Sequence, residues 1–129
     1  MRILFLIFAL MLETNYVVAH ELTPTYPKLR PSYVDGLLVA SVSMFNARQE
    51  VEYYEVGVFT LDFRPIPFAT TNAILKVPYG RHQSFDVYIR KEDASRAVYL
   101  CTMSKLRSDK PSDAIVASKV CSRLDGSLP

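Results

Sequence analysis

The chain has 129 residues, and its 15 lysines and arginines stand against 13 aspartates and glutamates, so its formal net charge is +2 at pH 7. A chain of this length folds around one core rather than two. The nearly balanced charge gives no reason to expect a nucleic-acid partner, and aromatic residues spread throughout the chain argue against disorder.

The N-terminus has the features of a secretory signal peptide. A basic residue at position 2 precedes an apolar run over residues 3–12. As a helix this run would be about 15 Å long, which is too short for a bilayer core of about 30 Å. Val17 and Ala19 stand at the positions that a signal peptidase reads. We therefore expect cleavage near Ala19, a single exported domain over residues 20–129, and no membrane span in the mature chain.

The rest of the chain alternates between β-rich runs and turn signals. Prolines at positions 24, 27 and 31 favour extended edge structure over helix. We predict strands over residues 37–45, 51–61, 72–77, 84–90, 97–103 and 114–124. No segment has a sustained helical period, and residues 92–96 could form one helical turn at most.

The number and spacing of these strands predict the fold class. Six or seven short strands separated by turn signals in about 100 residues are typical of an all-β, immunoglobulin-like antiparallel β-sandwich of about seven strands. An up-and-down barrel is the alternative that the same pattern allows.

The two cysteines predict how the last two strands pair. Cys101 and Cys121 are the only cysteines, and an exported chain meets an oxidising compartment, so one disulfide is expected. If the two residues face each other in an antiparallel pair, the centre of the hairpin falls at Pro111. That proline lies in residues 107–113, the most turn-like segment of the chain. The sequence thus predicts a final hairpin with the disulfide across it.

From Arg30 onward the chain resembles the N-terminal domain of the PapD-like periplasmic chaperones that assemble pili. The matching segments are residues 37–46, 52–56, 65–70, 75–80, 84–89, 97–102 and the final strand. The resemblance implies an immunoglobulin-like sandwich without enzymatic activity or cofactor. It also implies a periplasmic or secreted protein that binds another exported protein, such as a pilin-type subunit.

The resemblance further implies which residues contact that partner. In the family, the last strand of this domain lends alternating side chains to a subunit that lacks a strand. The corresponding positions here are Ala114, Val116, Ser118 and Val120. The family also holds the terminal carboxylate of the subunit with an arginine on the first strand and a lysine on the last. Arg30 and Lys119 are the residues here that could fill those roles.

Two other functions fit the same sequence. One is a structural or adhesive module whose edge strand pairs within a surface assembly. The other is a copper-binding sandwich, in which the amine and imidazole of His20, exposed by cleavage after Ala19, would bind Cu(II) together with His82. No further ligand pattern supports copper, so we predict no metal. We also predict no catalytic residues, because the chain has no hydrolase, phosphate-binding or metalloprotease motif.

Overall fold

A computed structural model describes residues 19–105 and 117–125 of the chain. In these residues eight strands form two four-stranded antiparallel sheets. The strands are β1 (Glu21–Thr23), β2 (Arg30–Pro31), β3 (Leu37–Phe45), β4 (Tyr53–Phe59), β5 (Ile74–Lys76), β6 (His82–Arg90), β7 (Tyr99–Lys105) and β8 (Lys119–Arg123). A short 3-10 helix, Lys91–Asp93, follows β6. Within the same ranges, no helix has the length and apolar character needed to cross a bilayer.

Sheet 1 is built around β3. Along its full length β3 pairs with β6, from Leu37 opposite Arg90 to Phe45 opposite His82. On its other edge β3 pairs with both β1 and β2, which occupy its two ends. Sheet 2 has the strand order β5-β4-β7-β8, so β8 is an edge strand of that sheet.

Alternating apolar residues on facing strands form the core between the sheets. In β3 every second residue from Leu38 to Met44 is buried, as Val87 and Ile89 are in β6. Sheet 2 contributes Tyr54, Val56, Val58 and Leu100 to the same cluster. Full burial of one large aliphatic side chain contributes roughly 2 kcal/mol. The predicted all-β immunoglobulin-like sandwich is therefore confirmed, and the up-and-down barrel is not the fold.

The predicted strands are found, with differences at their ends. The first long strand has the predicted bounds, residues 37–45. The second ends at Phe59 rather than at residue 61, because the Thr60 amide donates to the Arg64 carbonyl and closes a tight loop. The last strand is described over Lys119–Arg123. The first part of its predicted range, residues 114–116, lies outside the described residues.

The segment that joins β1 to β2 crosses from sheet 1 to sheet 2. In this segment the carbonyls of Thr25 and Pro27 accept hydrogen bonds from the amides of Arg123 and Asp125, both at 2.9 Å. Prolines suit such a segment because it must offer carbonyl acceptors here but few amide donors. The N-terminal segment consequently covers part of an edge of each sheet.

The disulfide lies where the cysteine arithmetic predicts it. Cys101 and Cys121 are directly opposite in the antiparallel pair β7–β8, and their sulfurs are 2.08 Å apart. The half-cystines are 20 residues apart in the chain, so the bond closes a hairpin of that size. The bridged final hairpin is thus confirmed.

We expect the double substitution Cys101→Ser/Cys121→Ser to lower the free energy of unfolding by about 3 kcal/mol, because it releases the entropy of an open loop of this length to the unfolded chain. Urea unfolding of the oxidised wild type, the reduced wild type and the variant measures this. The reduced wild type serves as the control and should match the variant. An equal denaturation midpoint for all three would contradict a stabilising role.

Candidate functional site: the β8 edge and the buried polar network beside it

The main-chain groups of β8 face in two directions. Ser104 donates its amide to the Ser118 carbonyl, and Leu124 donates to the Val98 carbonyl, so even-numbered positions of β8 bond to β7. Odd-numbered positions then direct their amides and carbonyls away from β7, as an antiparallel ladder requires. These outward groups form one of the two edges of sheet 2.

This edge is covered at one end and free at the other. The amides of Arg123 and Asp125 are bonded to the segment that joins β1 to β2. In the described part of the chain, no main-chain segment bonds to the outward groups of Lys119 and Cys121. We call residues 119–121 the free half of the β8 edge. Unpaired main-chain groups in a row can accept another strand.

The side chains of β8 alternate between the outer face and the interior. Lys119 is exposed on the outer face, where it is opposite Met103. Val120 is half-buried and packs against the core, and Ser118 is half-buried and hydrogen-bonded inside the sandwich. Ser118 and Val120 thus contact the interior of their own domain. A partner-binding role for these two side chains stays a prediction, and Ala114 and Val116 lie outside the described residues.

Aromatic rings hold Lys119 on the outer face of sheet 2. Its Nζ lies 4.4 Å from the ring centroids of both Phe59 and Phe63. Phe63 in turn stacks on Tyr99, with centroids 4.7 Å apart and ring planes 4° from parallel. To reach this position Phe63 adopts a φ of 60°, in the left-handed region that bulky residues rarely occupy. A cation above aromatic faces is attracted by the ring quadrupoles.

Arg30 lies on the outer face of the other sheet. It is opposite Val39, and its Nη2 donates to Ser41 Oγ at 3.1 Å. Ser41 in turn donates to Asp86 Oδ1 at 2.6 Å. Arg30 and Lys119 therefore lie on outer faces of different sheets. The structure does not bring them together into a joint clamp for one carboxylate, because the two outer faces of a sandwich point in opposite directions.

A buried polar network lies beside the free half of the β8 edge. His20 is only 2% exposed and immediately precedes β1. Its Nδ1 lies 3.0 Å from Ser118 Oγ, and its Nε2 lies 3.0 Å from the Thr102 carbonyl oxygen and 2.8 Å from Thr102 Oγ1. Arg48 donates from Nη1 to the same Ser118 Oγ at 3.1 Å, and from Nε to Glu50 Oε1 at 2.7 Å.

Asn46 extends this network toward the core. Its Nδ2 donates to the carbonyls of Val51 and Val77 at 2.7 and 2.8 Å. Its Oδ1 accepts from the Tyr54 hydroxyl at 2.6 Å and from the Arg48 amide at 2.9 Å. The amide side chain is fully buried, and it closes the end of the sandwich by joining three chain segments.

Burial, hydrogen bonds and the charge of Arg48 shift the pKa values of three groups in the network. Desolvation lowers the pKa of His20, and the nearby Arg48 guanidinium lowers it further, while the hydrogen bond to the Thr102 carbonyl opposes these effects. Burial also raises the pKa of Tyr54 to about 12. The pKa of Glu50 is lowered by its own backbone amide and by the Arg48 side chain. The ring of His20 is consequently neutral around pH 7.

The structure separates the two histidines of the copper hypothesis. His20 faces the interior, and both of its ring nitrogens already have hydrogen-bond partners. His82 is exposed on the outer face of sheet 1, where its ring packs on Phe45 at 4.6 Å. A joint copper site is not formed by these positions. Among the described residues, no group of three or more His, Cys, Asp or Glu side chains is arranged to hold a metal ion.

The patterns in the sequence do not predict this network. Asn46, Arg48 and Glu50 stand in a short polar connection that reads as an ordinary solvated loop. One signal was present, because His20 and Leu22 share the inward parity of the short strand β1 and the residue before it. Polar groups that converge from distant positions leave no such periodic signal.

Fold and site together define an immunoglobulin-like β-sandwich with a half-free edge strand bridged to its neighbour. Among solved structures, the chain is similar to the crystal structure of the E. coli chaperone DraB, with a TM-score of 0.60 and 14% sequence identity. The match covers 82% of this chain and 53% of that chain, so this chain spans about half the length of the chaperone. At this identity the likeness shows the fold alone. No protein-family model and no curated protein matches the sequence.

We expect Asn46→Ala to lower the free energy of unfolding by about 3 kcal/mol or more, because it leaves buried carbonyl, hydroxyl and amide groups without partners. Asn72→Ala is the matched control, since Asn72 is exposed in the loop before β5 and should change stability by less than about 0.5 kcal/mol. Thermal and urea unfolding measure both. Equal effects of the two substitutions would show that the Asn46 network contributes nothing.

We expect acidification to destabilise the wild type in a window that His20→Gln removes. The pKa of His20 is lower in the folded protein than its ordinary value of about 6.5, so the unfolded chain binds the proton more readily. Stability should therefore be highest above about pH 6.5 and fall as the pH drops toward the folded pKa. His82→Gln is the control and should keep the wild-type profile. Parallel pH profiles for all three proteins would contradict this linkage.

Proposed function

We propose that this protein is a non-enzymatic, chaperone-like assembly protein that binds another exported protein by β-strand addition. The observation that carries the proposal is the free half of the β8 edge, which offers the main-chain groups of Lys119 and Cys121 to an incoming strand. The likeness of the fold to a bacterial chaperone supports a role of this general kind. A pilin-type subunit is the partner class that the sequence resemblance favours.

Three features suit β8 to this role. The disulfide to Cys101 fixes the register of β8 on β7, so an incoming strand meets a rigid template. The half of the edge nearest Arg123 is covered by the chain itself, which limits the contact to a defined stretch. The outer face next to that stretch carries Lys119, a fixed positive charge that favours an acidic group on the partner.

The disulfide also supports an exported location. Disulfides persist in oxidising compartments such as the periplasm or the extracellular space, and are rare in reducing ones. We therefore propose a periplasmic or secreted protein that is released from residues 1–19 by a signal peptidase. In this proposal the mature domain acts by binding alone, without cofactor or metal.

We expect a photo-crosslinking side chain at position 119 to form an adduct with another exported protein in producing cells, whereas the same side chain at position 123 forms none. Both positions are exposed outer-face cations on β8, but the edge at 123 is covered by the segment that joins β1 to β2. Introduction of benzoylphenylalanine at Lys119 or Arg123, irradiation and mass spectrometry of the adducts measure this.

Three outcomes decide between the functions. An adduct at position 119 with a different exported protein supports strand addition by a chaperone-like protein. An adduct at 119 with a second copy of this chain supports the structural module instead and overturns the chaperone role. Adducts of equal yield at both positions, or none at 119, show that the free half of the edge is not the binding site.

A further inference from the structure

A buried histidine ties the two sheets together beside the free half of the β8 edge. We propose that His20 is a pH-sensitive latch: its neutral imidazole holds the start of β1 against β8, and protonation of the ring loosens this end of β1 from β8 and widens the access of a partner strand to the free half of the edge. This inference rests on the proposed function, because it assigns a control to the same edge.

The hydrogen bonds of His20 connect the start of sheet 1 to sheet 2. β1 pairs with β3 in sheet 1, yet it also lies in contact with β8 of sheet 2. No main-chain hydrogen bond of the described residues joins β1 to β8. Side chains fasten the two strands instead, with His20 bonded to Ser118 and Thr102 at one end and Ser122 Oγ donating to the Pro24 carbonyl at the other. Loss of the His20 contacts would detach this end of β1 from sheet 2 and leave it held by its pairing with β3 alone.

One neutral tautomer of His20 satisfies every hydrogen bond in this network. A carbonyl oxygen can only accept, so Nε2 carries the ring proton and donates it toward Thr102. Nδ1 is then an acceptor and takes the Ser118 hydroxyl proton. Ser118 Oγ in turn accepts from Arg48. The resulting chain of donors runs from Arg48 through Ser118 and His20 to Thr102, and every member has its required partner.

Protonation removes the acceptor of the Ser118 hydroxyl proton from this chain. A second ring proton on Nδ1 would point at Ser118 Oγ, which could no longer donate to the ring while it still accepts from Arg48. Two cations would then share one oxygen in a buried site. Of the titratable groups that face His20, Arg48 repels the added charge, Tyr54 packs on the ring at 4.6 Å and stays neutral, and Glu50 is already paired with Arg48. Exposure of the ring to water is the available relief.

Hydrogen exchange of the free protein tests the latch. We expect the protection of the amides of β1 and of Val120, corrected for intrinsic rates, to fall about tenfold between about pH 7.5 and about pH 4.5. The amides shared by β3 and β6 serve as the internal reference and should keep their protection. His20→Gln, which cannot gain a charge, should show no such change in β1, whereas His82→Gln should respond as the wild type does.

The same experiment can overturn the proposal. Protection of β1 that is independent of pH in the wild type, or a pH response that persists in His20→Gln, would show that His20 is not a latch. If His20→Gln does not fold, the ring-proton NMR titration of His20 in the wild type replaces it. The midpoint of that titration must then coincide with the loss of β1 protection. If the His20 ring titrates while the protection of the β1 amides stays constant, the latch is rejected.

The failure of the latch and the failure of the proposed function can be told apart. Hydrogen exchange uses no partner, so it reports on the latch alone. Crosslinking at position 119 reports on the edge alone. If the latch is real and strand addition is the function, the adduct at position 119 should form in higher yield at about pH 5 than at about pH 7.5. In His20→Gln that pH dependence should disappear.

Discussion

Main-chain hydrogen bonding at the sheet edges is the constraint on which this structure depends. A sandwich of two small sheets has edges whose amides and carbonyls must be paired, covered or left to water. One N-terminal segment serves two of these edges, since it pairs with β3 at both ends and with the end of β8 in between. What this segment leaves uncovered is the free half of the β8 edge. The candidate binding site is thus the part of the β8 edge whose main-chain groups this segment does not pair.

Side-chain hydrogen bonds play a similar part inside one end of the sandwich. At the end of the sandwich near Asn46, a fully buried amide, a buried guanidinium and a buried imidazole replace apolar packing. Among the described residues, every buried side-chain nitrogen and oxygen has a partner. Networks of this kind favour one geometry because a partial set of bonds costs more than none. The network also joins the residue before β1 to the residue before β8.

Local patterns were sufficient to predict most of the fold. The β-rich composition of residues 37–45 and the alternation in residues 84–90 predict two long strands, and the symmetric position of Pro111 between the cysteines predicts the register of the final hairpin. The candidate site was predicted less well. The last strand was identified, but the inward direction of Ser118 and Val120 was not, because small and apolar residues suit a core and a groove equally.

The polar network was beyond the reach of sequence reasoning for a different reason. His20, Arg48 and Ser118 are far apart in the chain and meet only after both sheets have formed. Arg30 and Lys119 are the opposite case. The family resemblance predicts that they act together, but the two sheets place them on opposite outer faces. Pairing across a sandwich depends on the parity of each strand, and an error of one residue moves a side chain to the other face.

The disulfide has a mechanical consequence. An incoming strand held along β8 would transmit any pull on the partner into an edge strand, which hydrogen bonds alone would release by unzipping one pair at a time. The covalent bond between Cys101 and Cys121 carries such a load directly into β7, whose full length is bonded to β4 inside the sheet. Beyond Cys121, β8 could leave the sheet only together with β7, whose bonds to β4 would then also have to break. The domain is thus reinforced at the strand that a partner would bind.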